Sequence, residues 1–85
     1  WEYDKSISFG EKVLKLADEL ENKNSKGMAL LNLGVCYREK GQLSTATNYT
    51  EQAKKLAIEL GDTRLLAAAL LAEASVLEKQ GAYLQ

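Results

Sequence analysis

Apolar residues recur along this chain at spacings of three and four, the period of helices that turn one face to a core. Over residues 1–21 they are Ile7, Phe9, Val13, Leu14, Leu16, Ala17 and Leu20, with Lys5, Lys12, Asp18 and Glu19 on the other side. This predicts a first helix with one broad buried face. A second helix over 25–40 carries the stripe Leu30, Leu33, Gly34 and Tyr37. A third over 43–60 carries Leu43, Ala46, Tyr49, Ala53, Leu56, Ala57 and Leu60. A fourth over 63–80 carries Leu66, Ala69, Leu70, Ala74 and Leu77.

The breaks between them have their own chemistry. Asn22 or Asn24 is placed to cap the second helix by accepting from an unpaired backbone N–H. Gly41 and Gly61 fall where a left-handed residue ends a helix, and Asp62 is placed to cap the fourth. Gly81 reads the same way, as a stop, with 83–85 as the start of a further helix. Gly10 and Gly34 lie inside helices, where a missing side chain lets a neighbouring helix approach. Proline is absent, so nothing interrupts the helices from within.

The pattern is written twice. Sliding the chain by 40 positions pairs 1–45 with 41–85, and ten pairs are identical, among them Leu16/Leu56, Leu20/Leu60, Leu30/Leu70, Leu31/Leu71 and Gly41/Gly81. Unrelated helical text of this composition matches at roughly two to four positions. The repeating unit is therefore two helices and two short turns, a design in which each unit buries its apolar face on its neighbours.

Composition narrows the function. Hydrophobic residues at 46% and charged residues at 27% place the chain with globular domains and not with disorder. A net charge of −1 gives no pull towards nucleic acid or an anionic membrane, and no run approaches the length of a membrane span. The single cysteine, Cys36, has no partner for an internal disulfide and reads as a small buried hydrophobe in a reducing, cytoplasmic setting. Histidine is absent, which removes imidazole metal sites and histidine base chemistry. The acids sit beside lysines at surface spacing, as in Lys15/Glu19 and Lys55/Glu59. Neither an enzyme nor a cofactor or metal site is expected. Trp1 is not a methionine, and the chain reads as a segment of a longer helical array.

Leu33-Gly34, then Tyr37 three further on, then Gly41, then Leu43, Ala46 and Ala53: this order resembles the tetratricopeptide repeat. That family's usual period is 34 residues, and the 40-residue form here is similar to LGN/Pins-type adaptors and to bacterial Rap-like or MalT-like arrays. The second copy departs from the pattern, with Glu73-Ala74 and Leu77 in place of Leu-Gly and tyrosine. The resemblance implies an all-α fold in which antiparallel helix hairpins stack as a right-handed α-solenoid. It also implies a concave face lined by the second and fourth helices.

On that reading the concave residues are Met28, Leu31, Asn32, Val35, Glu39, Ala68, Leu71, Ala72, Ser75 and Lys79, and they bind a peptide of a partner protein. Asn32 falls where such repeats hold a bound peptide's backbone, and an amide supplies both donor and acceptor. Val35 and its neighbours lack the cations that clamp a carboxylate in chaperone-binding relatives, so an apolar segment is the expected ligand. The implied role is that of an adaptor or scaffold segment, with a regulatory module in a signalling or transcription protein and a spacer without a ligand as the alternatives. Trp1 and Tyr3 mark an apolar edge through which copies self-associate.

Overall fold

Three turns of one design divide the chain. At Glu21 the backbone adopts a left-handed φ of 54°, at Gly41 84° and at Gly61 64°. In each, the next residue donates its N–H five positions back: Asn22 to Ala17, Gln42 to Tyr37 and Asp62 to Ala57, at 2.8, 2.9 and 3.0 Å. These bonds satisfy carbonyls that a helix end otherwise leaves unpaired. The residue that closes the turn can also cap the next helix. The Asn22 side chain accepts from the Ser25 N–H at 3.1 Å and that of Asp62 from the Leu65 N–H at 3.0 Å.

The computed structural model describes residues 2–84, which form four helices and no strand: α1 (Glu2–Glu19), α2 (Lys23–Glu39), α3 (Leu43–Leu60) and α4 (Thr63–Leu84). Trp1 and Gln85 lie outside the described residues, and with them the Trp1 edge and the last residue of the expected further helix. Each helix packs on the next and α2 also touches α4, while α1 lies against α2 alone. The result is a slab of 43 × 30 × 15 Å.

Small residues set the spacing. A Cβ at Gly10 would meet Leu33 Cδ2 at 3.0 Å, and one at Gly34 would meet Thr50 Cγ2 at 3.0 Å. Both glycines thus mark close approaches, as their positions inside helices suggested. A third such point is Gly27, where a Cβ would lie 2.5 Å from Leu65 Cδ2, at the crossing of α2 and α4. Beside Gly34, the rings of Tyr37 and Tyr49 stack 5.5 Å apart and 12° from parallel. The main core joins α2, α3 and α4 through Leu30, Leu31, Ala53, Leu56, Ala57, Leu65 and Ala69. Burying a leucine of this kind is worth about 1.5–3 kcal/mol.

The outer helices differ from the pattern expected of them. On α1 the buried line is Ile7, Gly10 and Ala17, with Val13 and Leu14 half-buried; Phe9, Leu16 and Leu20 face solvent. One broad face is really two adjacent stripes, and only one has a helix against it. On α4 the buried residues are Leu65, Ala69 and Val76, while Leu70, Ala74 and Leu77 are exposed. Leu60, at the end of α3, is exposed as well.

Gly81 does not end α4, which runs on to Leu84, so the expected fourth helix over 63–80 with a new helix from 83 is corrected to one helix. The glycines that end helices, Gly41 and Gly61, take a left-handed φ, whereas Gly81 does not and keeps the helical backbone. A glycine within a helix costs only about 1 kcal/mol.

Cross-helix ion pairs tie the elements together at the rim. Lys40 meets Asp4 at 2.7 Å and Lys26 meets Asp18 at 2.8 Å between α1 and α2. Lys23 pairs with Glu59 between α2 and α3, and Lys54 reaches Glu73 on α4 at 3.2 Å. All are solvent-accessible, so each adds little and together they favour this pairing of helix ends. No described helix is long and apolar enough to cross a membrane.

Candidate functional site

The exposed face of α2 is made by Asn24, Met28, Asn32, Val35 and Glu39. They recur at spacings of three and four, as the opposite side of α2 does, which is why they share one surface. Against this face α1 sets Lys5, Ser6, Phe9 and Val13, leaving a groove of about 770 Å³ between the two helices. Its floor is Gly10 and Ala29, both buried. Their lack of bulk lets the helix axes draw close below while larger side chains splay above.

The walls are mostly apolar, with Phe9 and Val13 on one side and Met28 and Val35 on the other. Asn32 stands among them, exposed, and its amide engages no other group among the described residues. Cys36 lines the same groove half-buried. Burial, with the nearby Glu39 carboxylate, pushes its thiol above the ordinary range. It is therefore held as the neutral thiol near neutral pH and behaves as an apolar wall, in keeping with its reading as a small hydrophobe.

The sequence-predicted residues separate into groups. Met28, Asn32 and Val35 come together in the groove. Ala68 is exposed beside Met28, around a second hollow of about 310 Å³ that also involves Asn24, Asp62, Arg64 and Leu65. Met28 thus belongs to both hollows, and the surface continues from α1 across α2 to α4. Glu39 and Lys79 meet as an ion pair at 3.8 Å. Arg38 also holds Glu39, at 2.7 Å. That hydrogen bond first, and the Lys79 charge second, keep the Glu39 carboxyl below its usual value. Ser75 is half-buried on α4.

Leu31, Ala72 and Leu71 stand apart from the groove. Leu31 is a core residue, packed with Leu65 and Ala69, because α4 covers the side of α2 from which it projects. Ala72 is half-buried against that same core. Leu71 is exposed, but it lines neither hollow. It holds on α4 the register position that Leu31 holds on α2, on a side that no helix covers among the described residues. The α1 wall was missed altogether. Phe9 and Val13 are apolar at helical spacing and look like core until the tighter line Ile7, Gly10, Leu14, Ala17 is separated from them.

Comparison with known proteins adds no further constraint: no family model matches the chain, and no curated protein and no solved structure matches it.

Proposed function

We propose that this chain is a protein-interaction module whose α1–α2 groove seats an apolar segment of a partner protein, in the manner of an adaptor or scaffold. The observation that carries the reading is Asn32: an exposed amide without a partner among the described residues, set between apolar walls that include Phe9, Val13, Met28 and Val35. Such a wall offers a ligand burial without direction, and one amide offers direction through a donor and an acceptor. The architecture that goes with this function is a tetratricopeptide-like, right-handed stack of helix hairpins. The 40-residue repeat and the packing of α2 on α4 support it. Ala68 and the Arg64 side extend the same surface, so a segment longer than the groove would continue across Met28 towards α4.

The test begins with a random peptide library selected on the immobilised chain. Peptides that bind are measured against the parent and against Asn32→Ala. The substitution is expected to weaken binding more than tenfold, about 1.4 kcal/mol or more, with unchanged helicity by circular dichroism. Peptides that bind Asn32→Ala as well as the parent would remove the groove amide from the account.

A further inference from the structure

A cation in the first turn of a helix works against the helix dipole, because the unpaired N–H groups there are already positive. The first turn of α2 holds two, Lys23 and Lys26, and both are offset by acids on neighbouring helices, Glu59 and Asp18. Lys5 in the first turn of α1 and Arg64 in the first turn of α4 have no such acid among the described residues. Neither helps its own helix, and both are exposed. What they share is place: Lys5 lines the α1–α2 groove, and Arg64 lines the hollow that continues it past Met28.

The two cations stand at opposite ends of that surface. The Lys40–Asp4 pair at 2.7 Å sets the start of α1, with Lys5, beside the end of α2. Arg64 lies with Asn24, at the start of α2. No carboxylate lines the groove between them. The one acid of the second hollow, Asp62, accepts from the Leu65 N–H at 3.0 Å. Glu39, one turn beyond Val35, is already held by Arg38 and Lys79. Free charge along the surface is thus positive at each end and absent between.

We propose that the partner segment seated here is extended, apolar in its middle and acidic at both ends, one carboxylate meeting Lys5 and the other Arg64. This rests on the groove reading and adds to it the partner's charge pattern. From Asn24 to Cys36, α2 rises about 18 Å at about 1.5 Å per residue, a span that an extended chain at about 3.3 Å per residue covers with about five residues. Extended backbone keeps its N–H and C=O groups for Asn32, whereas a helix has already used them. The apolar run supplies burial, and the two ion pairs set its register and steer its approach.

Three synthetic peptide libraries with blocked termini test it. Each randomises about five positions over alanine, valine, leucine, isoleucine, methionine and phenylalanine. Both end residues are glutamate in the first library, glutamine in the second and lysine in the third. Affinity for the whole chain is read by fluorescence anisotropy at low and high salt. Glutamate-ended peptides are expected to bind about tenfold or more tighter than lysine-ended ones, with glutamine-ended peptides between, and salt should narrow the gap. The double variant Lys5→Glu with Arg64→Glu should reverse that order and leave glutamine-ended affinity within about twofold. Circular dichroism checks its helicity; should that fall, Lys5→Gln with Arg64→Gln takes its place and should abolish the order. Affinities indifferent to end charge in the parent, or an order unchanged in the variant, would overturn the proposal. Glutamine-ended peptides that then still bind the parent and weaken with Asn32→Ala would leave the groove reading standing alone. Binding by none of the three libraries would overturn both.

Discussion

Leu31 and Leu71 occupy one register position in two copies of a repeat, yet the first is 8% exposed and the second 70%. Each is preceded by alanine and leucine on its own helix, so local sequence does not separate them. Leu31 has α4 to pack on, and among the described residues no helix covers the side of α4 that carries Leu71. In this fold a helix does not own its buried face. The face is created by whichever neighbours are stacked there, and the same letters are core in the middle and surface at the ends.

The sharpest way to break this comparison is to truncate matched leucines. Leu30→Ala removes a side chain from a fully enclosed site and should cost about 2–5 kcal/mol. Leu70→Ala, half-exposed, should cost about 1 kcal/mol or less. Urea unfolding of both variants checks it, and equal losses would mean that the two copies are energetically equivalent. Glycines give the next largest contrast. Gly34→Leu overfills the site beside Thr50 and should lose about 1–3 kcal/mol. Gly81→Ala meets nothing within 4 Å in the α4 helix and should gain up to about 1 kcal/mol from helix propensity. Thermal melts separate the two; a Gly34→Leu protein as stable as its parent would place that residue in water.

The smallest effect is that of pH. Lys40 lowers the Asp4 carboxyl from its ordinary 3.8, and Lys23 holds the Glu59 carboxyl below its ordinary 4.5. A carboxyl lowered in the folded state contributes stability that is present above its unfolded value and is lost as pH falls through the folded one. The lysines are shifted up from 10.5 by the same pairs, so their contribution is present below that value and lost above it. Histidine is absent, and stability should be flat from roughly pH 5 to 9. Modest declines are expected below that range and above it, and added salt should blunt both because the pairs are exposed. Helicity followed by circular dichroism across pH checks this; a step near neutrality would contradict it.

Most of the helix plan was legible in the sequence because turns are local. Gly41, Gly61, Asn22 and Asp62 act through bonds spanning three to five residues. The stripe of α2 was legible for a related reason: α1, α3 and α4 all pack on that helix, and Leu30, Leu33 and Gly34 are buried among them. Phe9, Leu16 and Leu20 were misassigned because hydrophobicity marks what can be buried and says nothing about whether a helix is there to bury it. Thr50 was overlooked because its letter is polar. Its hydroxyl donates to the Thr47 carbonyl of its own helix at 3.0 Å, leaving the methyl to pack at Gly34. Asn32 was singled out by resemblance, but the groove that it lines was not. The opposing wall comes from α1, and its place depends on how closely Gly10 lets the helices meet.

The restriction of α1 to α2 among its packing partners has a consequence for how the molecule is made. Every helix meets only the one or two laid down just before it, so contacts join stretches that are near each other along the polymer. Closing such short loops costs little entropy, and topologies of this kind reach the native state quickly. A chain leaving the ribosome can settle each rod onto its predecessor in order of synthesis, without waiting for a distant segment to complete the core.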